Sequence, residues 1–194
     1  MSADKGSGCT WPGNDELMIA YHDQEWGVPL HDDQKIFEFM VLDAFQAGLS
    51  WKTILHRREG FRKAFANFDV AKISRFTDRK VEQLLQDPGI IRNRLKVAAA
   101  VSNAKLFLEV QKEFGTFDRY IWQFTGGRTK QNKWKYPGEI PATSPESDAM
   151  SKDLQRRGFK FVGSTICYAF MQAAGMINDH LTGCPRHREV RNMR

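Results

Sequence analysis

Apolar and polar positions along the chain are organised around residues 32–51, DDQKIFEFMVLDAFQAGLSW. Ile36, Met40, Asp43 and Ala47 recur at helical spacing, and Phe37, Val41 and Ala44 widen the stripe. The pattern predicts a helix that faces the core over most of its surface. A carboxylate inside such a stripe is out of place, because burying an ionised Asp without partners is costly. Two readings of Asp43 stand side by side. It is a core acid satisfied by backbone amides or by an Arg from another helix, or it is the wall of a small pocket for a charged ligand. The helix stop at Gly48 and the apolar-tipped turn Leu49-Ser50-Trp51 suit the second.

The remaining pattern is helical throughout, and the predicted fold class is all-α. Amphipathic spacing predicts a second helix over 52–66, with Ile54, Leu55, Phe61 and Phe65 inward and His56, Arg57, Arg58, Arg62 and Lys63 outward. Short helices are expected over 69–76 and 78–85, capped by Asp69 and Thr77. A long one follows over 94–111, with Leu95, Ala98, Ala99, Ser102 and Leu106 inward, and a short one over 117–124. Gly and Pro interrupt 126–145, which reads as a surface loop. A helix capped by Ser144 or Ser147 runs to Arg157, and the last helix is expected over 164–180. Ser164 and Thr165 in its first turn offer hydroxyls and free N–H groups to an anion.

Composition narrows the class. The 194 residues carry a net charge of +6 and are 41% hydrophobic, which fits one large domain or two small lobes and favours a polyanionic partner. No apolar run approaches bilayer-spanning length, and the first residues lack a signal core, so a cytoplasmic protein with no membrane partner is expected. Residues 1–8 are expected to be a disordered tail, 9–184 the single domain, and 185–194 a basic C-terminal tail. Three cysteines without an export signal read as thiols or metal ligands.

Three further features carry candidate chemistry. Cys9, Trp11, Tyr21, His22 and Trp26 crowd a short segment; these aromatics either form one side of a binding site or fill a small core. His180 and Cys184 lie four apart at the other end of the chain. With Cys9 and His22 they match a Cys2His2 zinc site in type, although free thiols and surface histidines remain the alternative. Cys167, in an apolar helix, reads as a buried small hydrophobe. The stretch Asp87-Pro88-Gly89-Ile90-Ile91-Arg92-Asn93-Arg94 lies between two helical patterns. Helix, tight turn and helix with Arg just beyond is the layout of a helix-hairpin-helix, whose backbone N–H groups suit a DNA phosphate.

Five stretches in order, YHDQEWG, QAGLSW, DPGIIRNR, RGFKFVGSTICY and NDHLTGC, make the chain resemble the 3-methyladenine-DNA glycosylase I family of the helix-hairpin-helix superfamily. The resemblance implies a two-lobed helical fold that grips double-stranded DNA at Gly89 and at Ser164 and Thr165, and turns an alkylated adenine into a pocket between lobes. It implies a structural zinc on Cys9, His22, His180 and Cys184, joining the chain ends. It also implies Trp11, Tyr21 and Trp51 as aromatic walls, Asp43 as the catalytic and selectivity carboxylate, and Gly48-Leu49 as the wedge filling the gap in the stack. No lysine occupies the hairpin position used by strand-cleaving relatives, so the implied activity is base excision alone, by a monomer.

One departure bears on substrate. The family places Glu where this chain has Asp43, and commonly Tyr at Met18 and Gln at Phe45. Asp reaches roughly 1.5 Å less far. The leading expectation is a monofunctional glycosylase that releases 3-methyladenine. The alternatives are a non-catalytic or altered-specificity binder of alkylated DNA, and a zinc-pinned helical interaction module without DNA.

Overall fold

The structure, a computed structural model, describes residues 8–193; the expectation of a disordered tail falls on 1–7, outside these residues, and on Gly8. It is mostly helical: α1 (Glu16–Gln24), α2 (Asp33–Gln46), α3 (Trp51–Leu55), α4 (Arg58–Ala64), α5 (Val70–Ile73), α6 (Asp78–Leu84), α7 (Arg94–Phe114), α8 (Phe117–Trp122), α9 (Pro145–Arg156), α10 (Ser164–Ala173) and α11 (Pro185–Arg191). No described helix is long and apolar enough to cross a membrane.

Helix α2 is the axis of the core. Every residue from Ile36 to Phe45 is buried, and α3, α7, α8 and α10 pack around it. Side-chain caps set the ends: Asp32 accepts from the Lys35 amide at 2.8 Å. Asp33, one residue on, accepts from the Phe117 and Asp118 amides at 2.9 and 2.8 Å. That places a carboxylate on the N-terminus of α8, where the helix dipole favours it. Ser144 caps α9, as its hydroxyl chemistry predicts.

Several expectations are corrected. The helix expected over 52–66 is two, α3 and α4, broken at His56 and Arg57. Arg58, expected outward, is buried and donates to Glu38 at 2.8 Å and Glu25 at 2.7 Å. Glu38 is itself buried on α2, and an ionised acid there needs such a cation. On α7 the inward face is Val97, Ala100, Ala104 and Phe107, with Ala99 buried as expected, whereas Ala98 is exposed and Leu95 is 72% exposed. Two residues before Val97, Leu95 stands roughly 200° around the helix, on the opposite face.

The helix expected over 164–180 ends at Ala173. Gly175 then turns the chain at φ +67, with Val28 so close that a Cβ would meet its carbonyl carbon at 2.2 Å. A parallel strand pair follows, β1 (Lys130–Gln131) with β2 (Ile177–Asn178), so the loop over 126–145 is stitched to the core. Residues 185–191, expected as tail, form α11, whose His187 and Val190 are buried; His187 Nε2 lies 2.8 Å from the Asn132 carbonyl.

Candidate functional site

A cavity of about 260 Å³ opens between the N-terminal aromatics, α2 and α10, lined by Trp11, Tyr21, Trp26, Asp43, Gln46, Trp51, Ile140, Ala169, Gln172 and Ala173. This is near the small end of ligand pockets, about 300–1,000 Å³. Three aromatics expected as walls therefore come together with Asp43. Tyr21 and Trp51 have ring centroids 5.1 Å apart, and Trp11 meets Trp26 edge-on at 5.1 Å. Asp15 ties the two walls: it caps α1 through the Met18 amide, and Lys52 and His56 of the α3 segment reach it at 2.9 and 2.8 Å. Lys52 and His56 hold its carboxyl well below the usual range.

Asp43 is 3% exposed. Its Oδ2 is buried with no hydrogen-bond partner among the described residues, and so is the Trp51 indole Nε1. Among the described residues neither a backbone amide nor an arginine donates to this acid, as the core-acid reading would require. Burial alone raises its carboxyl pKa well above the ordinary value, because desolvation disfavours the charged form. Burial, and then the proximity of Asp43, raise the Tyr21 phenol. A wall with an unpaired acceptor and an unpaired donor suits a flat polar ligand that brings both partners.

Of the other expected residues, Leu49 is 40% exposed, and Gly48 turns the chain before it at φ +80; neither lines the cavity. This turn is joined to the first turn of α7 by Lys96, whose buried ammonium donates to the Phe45 and Ala47 carbonyls at 2.9 and 2.6 Å. A cation thus sits on the C-terminal carbonyls of α2. The Gly89 amide is engaged by Asp87 Oδ1 at 2.7 Å. Arg57 donates to the Pro88 carbonyl at 3.0 Å, which packs α4 onto that turn. The Ser164 hydroxyl is held by Asp148 and by Ser147, while Thr165 is exposed.

Cys9, His22, His180 and Cys184 converge so that their ligand atoms all lie within 4.8 Å of one another. His180 Nδ1 is 3.2 Å from His22 Nε2 and 3.8 and 3.9 Å from the sulfurs of Cys9 and Cys184. Tetrahedral coordination with metal–nitrogen bonds of about 2.05 Å and metal–sulfur bonds of about 2.3 Å gives N···N near 3.3 Å and S···N near 3.6 Å. The donor set fits. The second ring nitrogens are engaged as such a site requires: His180 Nε2 lies 2.9 Å from the Trp26 carbonyl, and His22 Nδ1 2.7 Å from Asp23.

Trp26, one of the crowded N-terminal aromatics, joins the lining, and Gln46, Ile140 and Gln172 line the cavity without having been singled out from the sequence. Gln46 had a signal, three residues beyond Asp43 on the same helical face. Ile140 and Gln172 had none, since each arrives from a distant segment.

Among the described residues, a helical fold thus sets an aromatic cavity around an unpaired carboxylate, with a Cys2His2 cluster beside it. The methyladenine glycosylase family model matches residues 11–187, and the chain belongs to that family. It is 47% identical over 176 residues to DNA-3-methyladenine glycosylase 1 of Escherichia coli (strain K12), covering 91% of this chain and 94% of the relative. To the DNA-3-methyladenine glycosylase of Haemophilus influenzae (strain ATCC 51907 / DSM 11121 / KW20 / Rd) it is 44% identical over 177 residues, 91% of this chain and 96% of the relative. A crystal structure of a 3-methyladenine DNA glycosylase I superposes with TM-score 0.90 at 47% identity, covering 92% of this chain and 98% of that one. The 3-methyladenine DNA glycosylase I of Staphylococcus aureus, solved to show the structural basis of 3-methyladenine recognition, has TM-score 0.89 at 32% identity, covering 91% and 94%.

Proposed function

We propose that this chain is a monofunctional DNA glycosylase that releases 3-methyladenine from alkylated double-stranded DNA. The observation that carries the reading is the unpaired, buried Oδ2 of Asp43 in an aromatic cavity, within a family whose relatives bear that name. An adenine methylated at N3 is cationic in DNA. Its flat ring meets aromatic faces, and its charge supplies the partner that Asp43 lacks. Extrusion from the stack costs roughly a few kcal/mol, and least for a base that pairs badly.

In the free protein burial favours the protonated acid. A cation in the cavity reverses this, because an adjacent opposite charge favours the carboxylate. The C1′–N9 bond breaks with its electron pair passing into the ring, so the base leaves neutral and needs no proton. Water adds to C1′ and gives up one proton. Asp43 steadies the cation and the charge developing on the sugar as the bond breaks.

The α6–α7 turn reads as a helix-hairpin-helix, with Gly89 meeting a phosphate in exchange for its bond to Asp87. Thr165 and Ser164 at the start of α10 are a second phosphate contact, and Gly48-Leu49 is the wedge. Zinc on Cys9, His22, His180 and Cys184 is structural: four protein ligands leave no open coordination position. The protein acts as a cytoplasmic monomer. Chromatography of bases released from methylated duplex DNA tests the reading. Free 3-methyladenine released without strand scission is expected; binding of alkylated DNA with no release would establish the non-catalytic binder instead.

A further inference from the structure

Gln172 of α10 lines the cavity together with Asp43. Its Nε2 donates to Asp179 Oδ2 at 2.8 Å. Asp179 is 1% exposed and already accepts from the Tyr168 hydroxyl on Oδ2, and from Asn132 Nδ2 and Trp134 Nε1 on Oδ1, each at 2.7 Å. A carboxylate that receives four donors only accepts. Of the two orientations of the Gln172 amide, only the one with NH₂ toward Asp179 makes a bond; the other sets two oxygens face to face. Oε1 is therefore turned away from Asp179, and it has no hydrogen-bond donor among the described residues. The backbone is pinned as well: the Gln172 carbonyl accepts from the Gly27 amide at 3.0 Å and the Gly175 amide at 3.2 Å.

We propose that Gln172 is a specificity-determining residue, its Oε1 held by Asp179 as a fixed acceptor for the 6-amino group of the bound base, so that the cavity admits 6-amino purines and rejects 6-oxo purines. The inference rests on the cavity being the base pocket. A 6-amino group carries two hydrogens and serves both Gln172 and Asp43. A 6-oxo group would place an acceptor against Oε1. The amide has no way to adapt, because turning its NH₂ into the cavity breaks the bond to Asp179. Sites built around a fixed hydrogen bond discriminate strongly for this reason. Asp179 acts through Gln172 and is a positioning residue.

The test is equilibrium binding of two free bases, 3-methyladenine and 3-methylhypoxanthine, which differ at position 6 and in the ring N–H that accompanies the 6-oxo group. Calorimetry on the full, metal-loaded chain would be run beside thermal melts. The wild type is expected to prefer the amino base by roughly tenfold or more, one hydrogen bond's worth. Gln172→Met keeps the bulk and removes the acceptor, and is expected to bring the ratio close to unity, both by weakening the amino base and by relieving the repulsion against the oxo base. Gln172→Asn withdraws the oxygen by one methylene and is expected to lower the ratio in the same direction, which covers the case in which Met fails to fold. Asp179→Asn lets the amide turn, and the ratio is expected to fall through a gain for the oxo base, an effect that a merely structural role would not produce. A folded Gln172 variant with the wild-type ratio overturns the proposal while leaving the base pocket intact. A wild type that binds neither base overturns the pocket reading itself.

Discussion

Asp43 and Asp179 are both buried carboxylates, 3% and 1% exposed, and the fold treats them oppositely. Asp179 is saturated by donors from two side chains of the 126–145 loop and two of α10. Among the described residues no side chain or amide donates to Asp43 Oδ2. A buried polar atom left unpaired costs roughly 1–3 kcal/mol, so the contrast separates two uses of one residue type. Asp179 joins segments that the backbone alone would leave apart. Asp43 is left without a partner among the described residues, which suits the proposed base pocket.

Removal of the zinc proposed for the Cys/His cluster, whose His180 follows Asp179 in the chain, is expected to have the largest effect. The cluster joins residues 171 apart, and a metal bound there would contribute folding energy. Chelation, or Cys184→Ala, is expected to lower the melting temperature by about 10 °C or more, given that each kcal/mol moves Tm by about 2–4 °C at this size. Cys167→Ala is expected to move it far less. An unchanged melt after metal analysis shows the ion gone would break the assignment.

Asp179→Ala comes next. It strands four donors in the interior, and losing one side of such a network costs roughly 3–5 kcal/mol. Urea unfolding measures it; a midpoint within error of wild type would show that the two aspartates are not different after all.

Asp43→Asn sharpens the contrast from the other side. The fold is expected to hold or gain stability, while single-turnover release of 3-methyladenine falls by roughly ten- to a hundredfold. Asp43→Glu is expected to match or raise the wild-type rate. The pH dependence has a definite sign. Below about pH 4 the carboxyl is protonated in both folded and unfolded chains. Above that the unfolded chain releases the proton and the folded one keeps it, because the folded pKa is raised. Wild-type stability is therefore lost as pH rises, until the folded carboxyl ionises too. The variant lacks this dependence, so its advantage in melting is expected to widen upward from about pH 4. Excision by Asp43→Asn at the wild-type rate would remove Asp43 from the site.

The smallest effect is expected from Lys96→Met. It uncaps the carbonyls of Phe45 and Ala47, at a cost of roughly 1–2 kcal/mol, and loosens the turn at Leu49. Capture of the lesion is expected to weaken more than affinity for undamaged duplex, as titrations of the two duplexes would show.

How much of this was legible in residues 1–194 follows the range of the forces involved. The α2 stripe, the misplaced Asp43 within it and the caps at Asp32, Asp69, Thr77 and Ser144 are local, because helical periodicity and capping act over three or four residues. The residue types of the metal cluster were legible too, and the resemblance paired its ends. The convergence of Cys9 and His22 with His180 and Cys184 was not legible from spacing, since no periodicity spans that separation. Arg58 reads as a surface cation until Glu38 and Glu25 close around it. Residues 174–180 continue a helical pattern until Val28 forces Gly175 to turn the chain. Gln172 is a polar residue near the end of an apolar helix until Asp179 orients it. In each case the deciding partner lies far along the chain, and only the packed fold brings it within reach of a charge or a hydrogen bond.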